Sequence, residues 1–313
     1  MLPPAGAPDA ILRLNIREFL NSCDSRFAYP FGLRPHMGFG ADYMGLLSRL
    51  MSCLECGIKL SLCRIRHPQG FSVANGWSDY FEPFFDEVDC PLMGLFNRHE
   101  FPYQKKFPPT RILAGIWLRR FTQPQTTFFA FDTLRRFENT SLPVLFDPNV
   151  DWVQARALIM NSLWRFNDHT YDEVSCVLSR MHLPRRFFAM HIRRGDKHKE
   201  FAFVSLERYI DAVNSLSDEC LPLFIASDDF SVVDHLRRAL PNREIFSFAD
   251  PCANGYDNPS YNMLPPQTRR MLTVALFADL EILRRAEVFI GTQTSNIGWM
   301  INSFRGGEGI LWV

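Results

Sequence analysis

Neither sign of charge is in excess in this sequence of 313 residues, because 34 lysines and arginines balance 34 acidic residues. A protein that binds nucleic acid through its overall field carries a strong basic surplus, so the composition argues against that class of partner. An anionic ligand has to be bound by a local cluster of basic side chains, since the field of the whole molecule does not attract it.

Long apolar segments are missing as well. No stretch reaches the roughly 18 residues that a membrane-spanning helix needs. Residues 1–8 are rich in proline and alanine and lack the charged-then-apolar order of a secretory signal. These absences predict a cytoplasmic protein if the chain is complete, and a Golgi or other secretory location if it is a domain detached from its anchor.

Patterns typical of metal binding are scarce. Cys53 and Cys56 are the only close pair among the eight cysteines, and no second pair at that spacing follows. A structural zinc site needs four ligands, commonly drawn from two such pairs. We therefore expect no zinc site.

The C-terminal half alternates short apolar runs with longer segments of helical periodicity. The apolar runs predict strands at 186–192, 221–226, 244–248, 288–291 and 309–313. The segments between them predict helices at 206–216, 231–240, 268–285 and 295–303. Strands that alternate with helices in this way form a parallel, doubly wound sheet.

The N-terminal half is less regular. It predicts a helix at 46–56, a strand at 59–64 and a further helix at 153–166. A domain boundary is expected between 175 and 185, where residues 181–185 have the composition of a link.

Polar clusters follow four of the predicted strands. They comprise 191–197, 227–229, Asp250 and 292–296. The carboxyl ends of parallel strands meet at one edge of a sheet, and ligands of such sheets bind beyond that edge. The sequence therefore predicts one site built from these clusters.

The first cluster is strongly basic and contains Arg193, Arg194, Gly195 and Lys197. The planar guanidinium of arginine matches pairs of phosphate oxygens, and a glycine lets the main chain approach a ligand closely. A solvated basic turn in which Asp196 pairs with an arginine is the alternative. The position at the end of a strand favours a diphosphate site.

Two further segments fit an anionic ligand. Thr294, Ser295 and Asn296 open a predicted helix, whose free N–H groups attract anions and whose cap these side chains can equally form. Gly38 and Gly40 flank Phe39 just before the helix at 46–56, in a predicted loop where a diphosphate can approach.

The basic strand end resembles the first conserved motif of fucosyltransferases, and most closely that of the alpha-1,6 family of core and nodulation fucosyltransferases. The resemblance continues, in order, through 206–210, 226–229, 277–283 and 286–296. Residues 76–83 echo a tryptophan motif in the first domain of that family.

This resemblance implies an α/β, GT-B-like enzyme with two Rossmann-like domains and the donor site in the cleft. Residues 1–180 would form the acceptor side and 181–313 the nucleotide-sugar-binding domain. The implied reaction is an inverting, metal-independent transfer of fucose from GDP-fucose to a glycan hydroxyl, without a cofactor. The sequence has no Asp-x-Asp pair, the usual signature of metal-dependent glycosyltransferases.

The resemblance also implies roles for single residues. His191 and Asp279 would contact guanine, Arg193 would hold the β-phosphate beside Ser295, and Glu200 would be the catalytic base. The remaining candidates for substrate contact are Arg194, Lys197, Asp228, Asp229, Thr294, Gly38 and Gly40.

Two departures from the family pattern leave other functions open. Glu200 lies one residue closer to Lys197 than in the core enzymes, and no tyrosine near Ser72 matches the family's ribose contact. An alpha-1,2-fucosyltransferase, a protein O-fucosyltransferase and a non-catalytic nucleotide-sugar-binding protein of the same fold are the alternatives.

Overall fold

A computed structural model describes residues 7–23, 29–31, 38–57, 59–63, 71–88, 146, 150–216 and 221–313. These residues form two compact units. One contains the described residues of Pro4–Asn167 together with Leu264–Arg270, and the other contains Asp168–Met263 and Met271–Val313. The assignment of domains to 1–180 and 181–313 stays a prediction.

The first unit contains three helices and a small parallel sheet within its described residues. In chain order these are α1 (Ala7–Ser22), β1 (Tyr29–Phe31), α2 (Phe39–Cys56), β2 (Leu60–Cys63), a 3₁₀ turn (Gly76–Asp79), β3 (Asp86–Val88) and α3 (Trp152–Leu163). The three strands pair in the order β1–β2–β3.

Helix α2 begins seven residues before the helix predicted at 46–56. Phe39, Tyr43, Leu46, Leu47 and Leu50 are buried at helical spacing, so its first two turns belong to the core. Phe39 and Gly40 therefore lie within a helix, and the predicted loop around them is wrong.

The tryptophan motif at 76–83 is part of an aromatic core. The ring of Trp77 stacks on Phe81 at 4.4 Å, and Trp164 lies 5.3 Å from Phe81. The Asp79 carboxylate accepts hydrogen bonds of 2.8 to 3.0 Å from the main-chain N–H groups of residues 73–76 and from the Ser72 hydroxyl. Asp79 thus anchors the turn that carries this motif.

The second unit is built on a five-stranded sheet. Its elements are α4 (Asp168–Ser179), β4 (Phe188–Ile192), a 3₁₀ turn (Gly195–Lys199), α5 (Leu206–Asn214), β5 (Leu223–Ser227), α6 (Phe230–Ala239), β6 (Ile245–Phe246), α7 (Asn258–Met263), α8 (Pro266–Leu283), β7 (Phe289–Gly291), α9 (Asn296–Phe304) and β8 (Ile310–Trp312). The residues of α8 up to Arg270 group with the first unit.

All pairings in this sheet are parallel, which confirms the predicted parallel sheet. The strand order is β6–β5–β4–β7–β8, and the five residues of central strand β4 are all buried. The chain moves outward from β4 through β5 to β6 and then returns to the other side of β4 at β7. The carboxyl ends of β4 and β7 therefore form the topological switch point, where open α/β sheets bind ligands.

Candidate functional site

The switch point brings together His191 of β4 and Ser295, which follows β7. The Ser295 hydroxyl lies 3.4 Å from Nδ1 of His191, and both side chains are buried. The pKa of His191 is lowered to about 4, chiefly by burial, while the charge of Asp228 opposes this shift and that of Arg193 adds to it. The imidazole is therefore neutral at physiological pH.

Arg193 is held between two carboxylates. Its guanidinium contacts the Asp228 carboxylate and donates to Oδ1 of Asp196 at 2.5 Å. It also lies 4.7 Å from the centre of the Tyr256 ring and donates to the Tyr256 carbonyl at 3.3 Å. The pairing of Asp196 with an arginine is the arrangement that the sequence left as an alternative.

Asp228 joins three chain segments. Besides Arg193, it accepts hydrogen bonds of 2.7 Å from the main-chain N–H groups of Arg194 and Tyr256. Asp229 has a different role, because its carboxylate caps α6 through the N–H of Ser231 at 2.9 Å and the Ser231 hydroxyl at 2.6 Å. Asp228 therefore fixes the geometry of the basic loop, and Asp229 fixes the start of the next helix.

Two glycines allow the basic loop and the loop after β6 to touch. Gly195 and Gly255 have φ values of +53° and +83°, in the left-handed region. A Cβ atom on Gly195 would lie 2.1 Å from the Tyr256 carbonyl oxygen, and one on Gly255 would lie 2.5 Å from Cα of Gly195. The main chains therefore pack directly on each other.

The loop that carries Gly255 and Tyr256 was not identified from the sequence as part of the site. Asp250 was, but its Oδ1 accepts from the N–H of Cys252 at 2.7 Å in a local turn. The Asn254-Gly255 dipeptide was the available signal, since this pair marks a tight turn. Nothing in the sequence indicated that the turn packs on residues 60 positions earlier.

The other basic side chains of the loop are also paired. Arg194 donates to the Val204 carbonyl at 3.0 Å, and Lys197 donates to the Glu200 carboxylate at 2.6 Å. Glu200 keeps 53% of its side chain exposed. The carboxylate expected to act as a base is therefore at the surface and in contact with a cation.

Asp279 lies on α8. Its Oδ1 is buried and accepts no hydrogen bond within the described part of the chain. Burial raises the pKa of Asp279 to about 8. The carboxyl group is thus largely protonated at pH 7, and a buried acceptor without a partner favours a ligand that brings donors.

Helix α9 begins without a capping hydrogen bond from its own N-cap side chain. Ser295 is the N-cap residue but forms no capping hydrogen bond, because its hydroxyl faces His191. Thr294 instead donates to the hydroxyl of Thr292 at 3.1 Å. A helix N-terminus whose N-cap hydroxyl faces His191 and does not cap the helix suits an anionic group.

Gly38 and Gly40 belong to the first unit. Gly38 is the N-cap of α2 with an ordinary φ of −70°, and a Cβ atom there would meet no atom within 4 Å. Gly40 lies in the first turn of α2. Gly38 therefore does not require glycine in the way that Gly195 does.

Among the residues that the structure describes, no group of three or more His, Cys, Asp or Glu side chains is arranged to hold a metal ion. None of the helices in the described ranges is both long and apolar enough to cross a membrane.

No protein-family model and no curated protein matches this sequence. Solved structures do match. The NodZ alpha-1,6-fucosyltransferase soaked with GDP-fucose is 16% identical, with a TM-score of 0.52 over 90% of this chain and 93% of that chain. The fucosyltransferase NodZ from Bradyrhizobium is 15% identical, with a TM-score of 0.52 over 91% and 93%. The chain has the fold of a fucosyltransferase. A structure of POFUT1 in complex with GDP is 14% identical, with a TM-score of 0.44 over 92% and 98%.

The shared fold is the one that the resemblance implied. The mixed α/β architecture with parallel sheets agrees with the prediction, and NodZ structures stand among the matches as the motifs implied.

Proposed function

We propose that this chain is a glycosyltransferase that moves fucose from GDP-fucose to a glycan hydroxyl, with alpha-1,6-like specificity, inversion at the sugar carbon and no metal. The observation that carries the proposal is the contact of the Ser295 hydroxyl with His191 at the switch point of the sheet, two residues before the paired Arg193 in the chain. Its support from comparison is the fold shared with a NodZ structure soaked with GDP-fucose.

The diphosphate would bind at the start of α9 and against Arg193. The first turn of α9 offers N–H groups that the Ser295 side chain does not cap, and the helix dipole favours negative charge there. Arg193 is oriented by Asp228, Asp196 and the ring of Tyr256. A guanidinium fixed in this way can stabilise charge on the β-phosphate without having to reorganise.

Guanine would be recognised by His191 and Asp279. The base presents two neighbouring N–H donors, at N1 and at the 2-amino group, and an ionised carboxylate can accept from both. Oδ1 of Asp279 is a buried acceptor that makes no hydrogen bond within the described residues. A guanine base would provide the donors that this oxygen lacks.

In the proposed reaction an acceptor oxygen forms a bond to the anomeric carbon of fucose as the bond from that carbon to the β-phosphate oxygen breaks. The acceptor proton passes to Glu200, and GDP leaves with the bonding electron pair. Arg194, Lys197 and Thr294 would contact the donor, while Asp228 and Asp229 hold the loops that present it. Glu200 would exchange its contact with Lys197 for the acceptor hydroxyl.

A screen of nucleotide sugars by thermal shift tests the donor. GDP-fucose and GDP should raise the melting temperature, because a ligand that binds only the folded state stabilises it by about 2.7 kcal/mol at 100 times its Kd. UDP-sugars should not, since uracil has only one ring N–H donor on the edge that faces Asp279. A larger response to UDP-sugars than to GDP-fucose would sink the donor assignment.

A non-catalytic nucleotide-sugar-binding protein is the second candidate, and the ion pair between Glu200 and Lys197 favours it. Release of GDP from GDP-fucose distinguishes the two functions. In the enzyme, Glu200→Gln should keep donor affinity and lose transfer, whereas Glu173→Gln on α4 should change neither. Tight GDP binding by the wild-type chain without hydrolysis or transfer would favour the binding protein.

A further inference from the structure

Two phenylalanines stand at the surface directly after the proposed base. Phe201 and Phe203 are 47% and 44% exposed, in the loop between the 3₁₀ turn and α5. Phenylalanine is a residue that proteins usually bury, and neighbouring exposed apolar side chains mark a surface that binds something. Glu200, which precedes them, is exposed on the same loop.

Each of the two phenylalanine rings has a cation of the basic loop over it. Nζ of Lys197 lies 5.1 Å from the centre of the Phe201 ring, and Cζ of Arg194 lies 4.9 Å from the centre of the Phe203 ring. The His198 and Phe203 rings are nearly perpendicular, with 6.0 Å between their centroids. The rings are therefore positioned by the residues of the proposed diphosphate site.

Two of the three cations around the rings are in ion pairs, and the third donates to a main-chain carbonyl. Lys197 pairs with Glu200 at 2.6 Å, and Lys199 pairs with Asp257 at 3.3 Å. The guanidinium of Arg194 donates to the Val204 carbonyl. An anionic lipid surface is attracted by unpaired basic residues, so this neighbourhood suits an uncharged ligand that offers both hydroxyls and apolar faces.

We propose that Phe201 and Phe203 form a platform on which a ring of the acceptor glycan stacks. A pyranose has an apolar C–H face that packs on an aromatic ring and hydroxyls on its rim that can reach Glu200 and Lys197. The inference rests on the proposed function, because a base has to lie beside the acceptor hydroxyl. It assigns the acceptor as an uncharged oligosaccharide rather than a charged peptide or a lipid.

An array of oligosaccharides that end in N-acetylglucosamine, galactose or mannose, probed with the full chain and GDP, tests the platform. F201A and F203A should each weaken glycan binding about tenfold, whereas F201Y and F203Y, which keep the ring, should stay within about twofold of the wild type. M263A is the matched control, because Met263 is 87% exposed and lies away from this loop in the chain. All five variants should bind GDP as the wild type does.

Glycan binding that survives in the double variant F201A/F203A would overturn the proposal, as would a wild-type chain that binds GDP but no glycan on the array. Loss of binding to vesicles of anionic phospholipid in F201A/F203A, with glycan binding unchanged, would also overturn it. A chain that binds glycans through the two rings but does not respond to GDP contradicts the donor assignment and leaves the platform standing.

Discussion

At the scale of single residues, two carboxylates that accept hydrogen bonds set the geometry of the candidate site. Asp228 and Asp196 orient one guanidinium, and Asp228 also fixes two main-chain N–H groups. Removing Arg193 would therefore affect both the ligand and the loop. The cation and the two carboxylates act as one unit, so the effects of their substitutions will not add.

Arg193→Ala should weaken GDP binding by about 100-fold, because it removes a charge-assisted contact and leaves two carboxylates facing the diphosphate. Isothermal titration with GDP measures the change. Arg186→Ala is the matched control, since Arg186 forms an exposed ion pair with Glu287 in the same unit. Unchanged GDP affinity in the Arg193 variant would remove the phosphate assignment, provided that the melting temperature shows a folded protein.

Asp279 should make GDP binding depend on pH. With a pKa of about 8, its carboxyl is mostly protonated at pH 6.5 and has to ionise before it can accept from both guanine donors. GDP affinity should therefore rise about tenfold between pH 6.5 and pH 8. Asp279→Asn should abolish this dependence of GDP affinity on pH. Titrations of both proteins with GDP across the pH range measure it, and a dependence that persists in the variant would show that another group is responsible.

The same carboxyl affects stability in the opposite direction. An unfolded aspartate titrates near 3.9, so between roughly pH 4 and pH 8 the folded state binds more protons than the unfolded state. Asp279 makes its full contribution to the free energy of unfolding below that pH range. The contribution is lost as the pH rises through the range. Asp279→Asn should therefore melt at least about 2 °C higher at pH 8, while differing little at pH 4.

At the scale of elements, the site depends on two loops that meet through glycines. The turn after β4 and the loop after β6 approach closely because neither Gly195 nor Gly255 carries a side chain. The distances at this contact leave no room for a methyl group. The basic loop therefore owes its shape to a segment that is far away in the sequence.

Gly195→Ala should lower the free energy of unfolding by about 2 kcal/mol or more, because the residue has a positive φ and its Cβ would overlap the Tyr256 carbonyl. GDP affinity should fall with it. Gly38→Ala is the control, since Gly38 has an ordinary φ and open space around it. Urea denaturation of both variants measures the difference. Equal free energies of unfolding would show that the loop contact can adjust to an added methyl group.

At the scale of the whole molecule, formal charge is balanced, so we expect binding of the proposed donor to depend on the local geometry of the second unit. We expect transfer to proceed without a metal, because Arg193 and the start of α9 would stabilise the leaving diphosphate. GDP release from GDP-fucose in excess EDTA should match the rate without chelator. A strong loss that added Mg²⁺ or Mn²⁺ restores would contradict the metal-independent mechanism.

Much of the second unit could be predicted from periodicity. The strands at 188–192 and 223–227 lie within one residue of the predicted runs at their carboxyl ends, and helices α5, α6, α8 and α9 appear where the pattern placed them. These elements are regular and buried on one face, so hydrophobic spacing describes them well. Helix α4 was missed because only Thr170 and Val174 of its residues are buried.

The sequence alone determined the order of strands and helices, the basic strand end and the hydroxyl-rich start of α9. Each of these features depends on residues that are close together in the chain. The tertiary structure decided which groups meet. Only it shows that Asp228 and Tyr256 contact Arg193, that Ser295 faces His191, and that Oδ1 of Asp279 is buried and makes no hydrogen bond to any residue of the described ranges. The physical reason is that pairing and burial depend on segments far apart in the chain, and periodicity carries no information about such contacts.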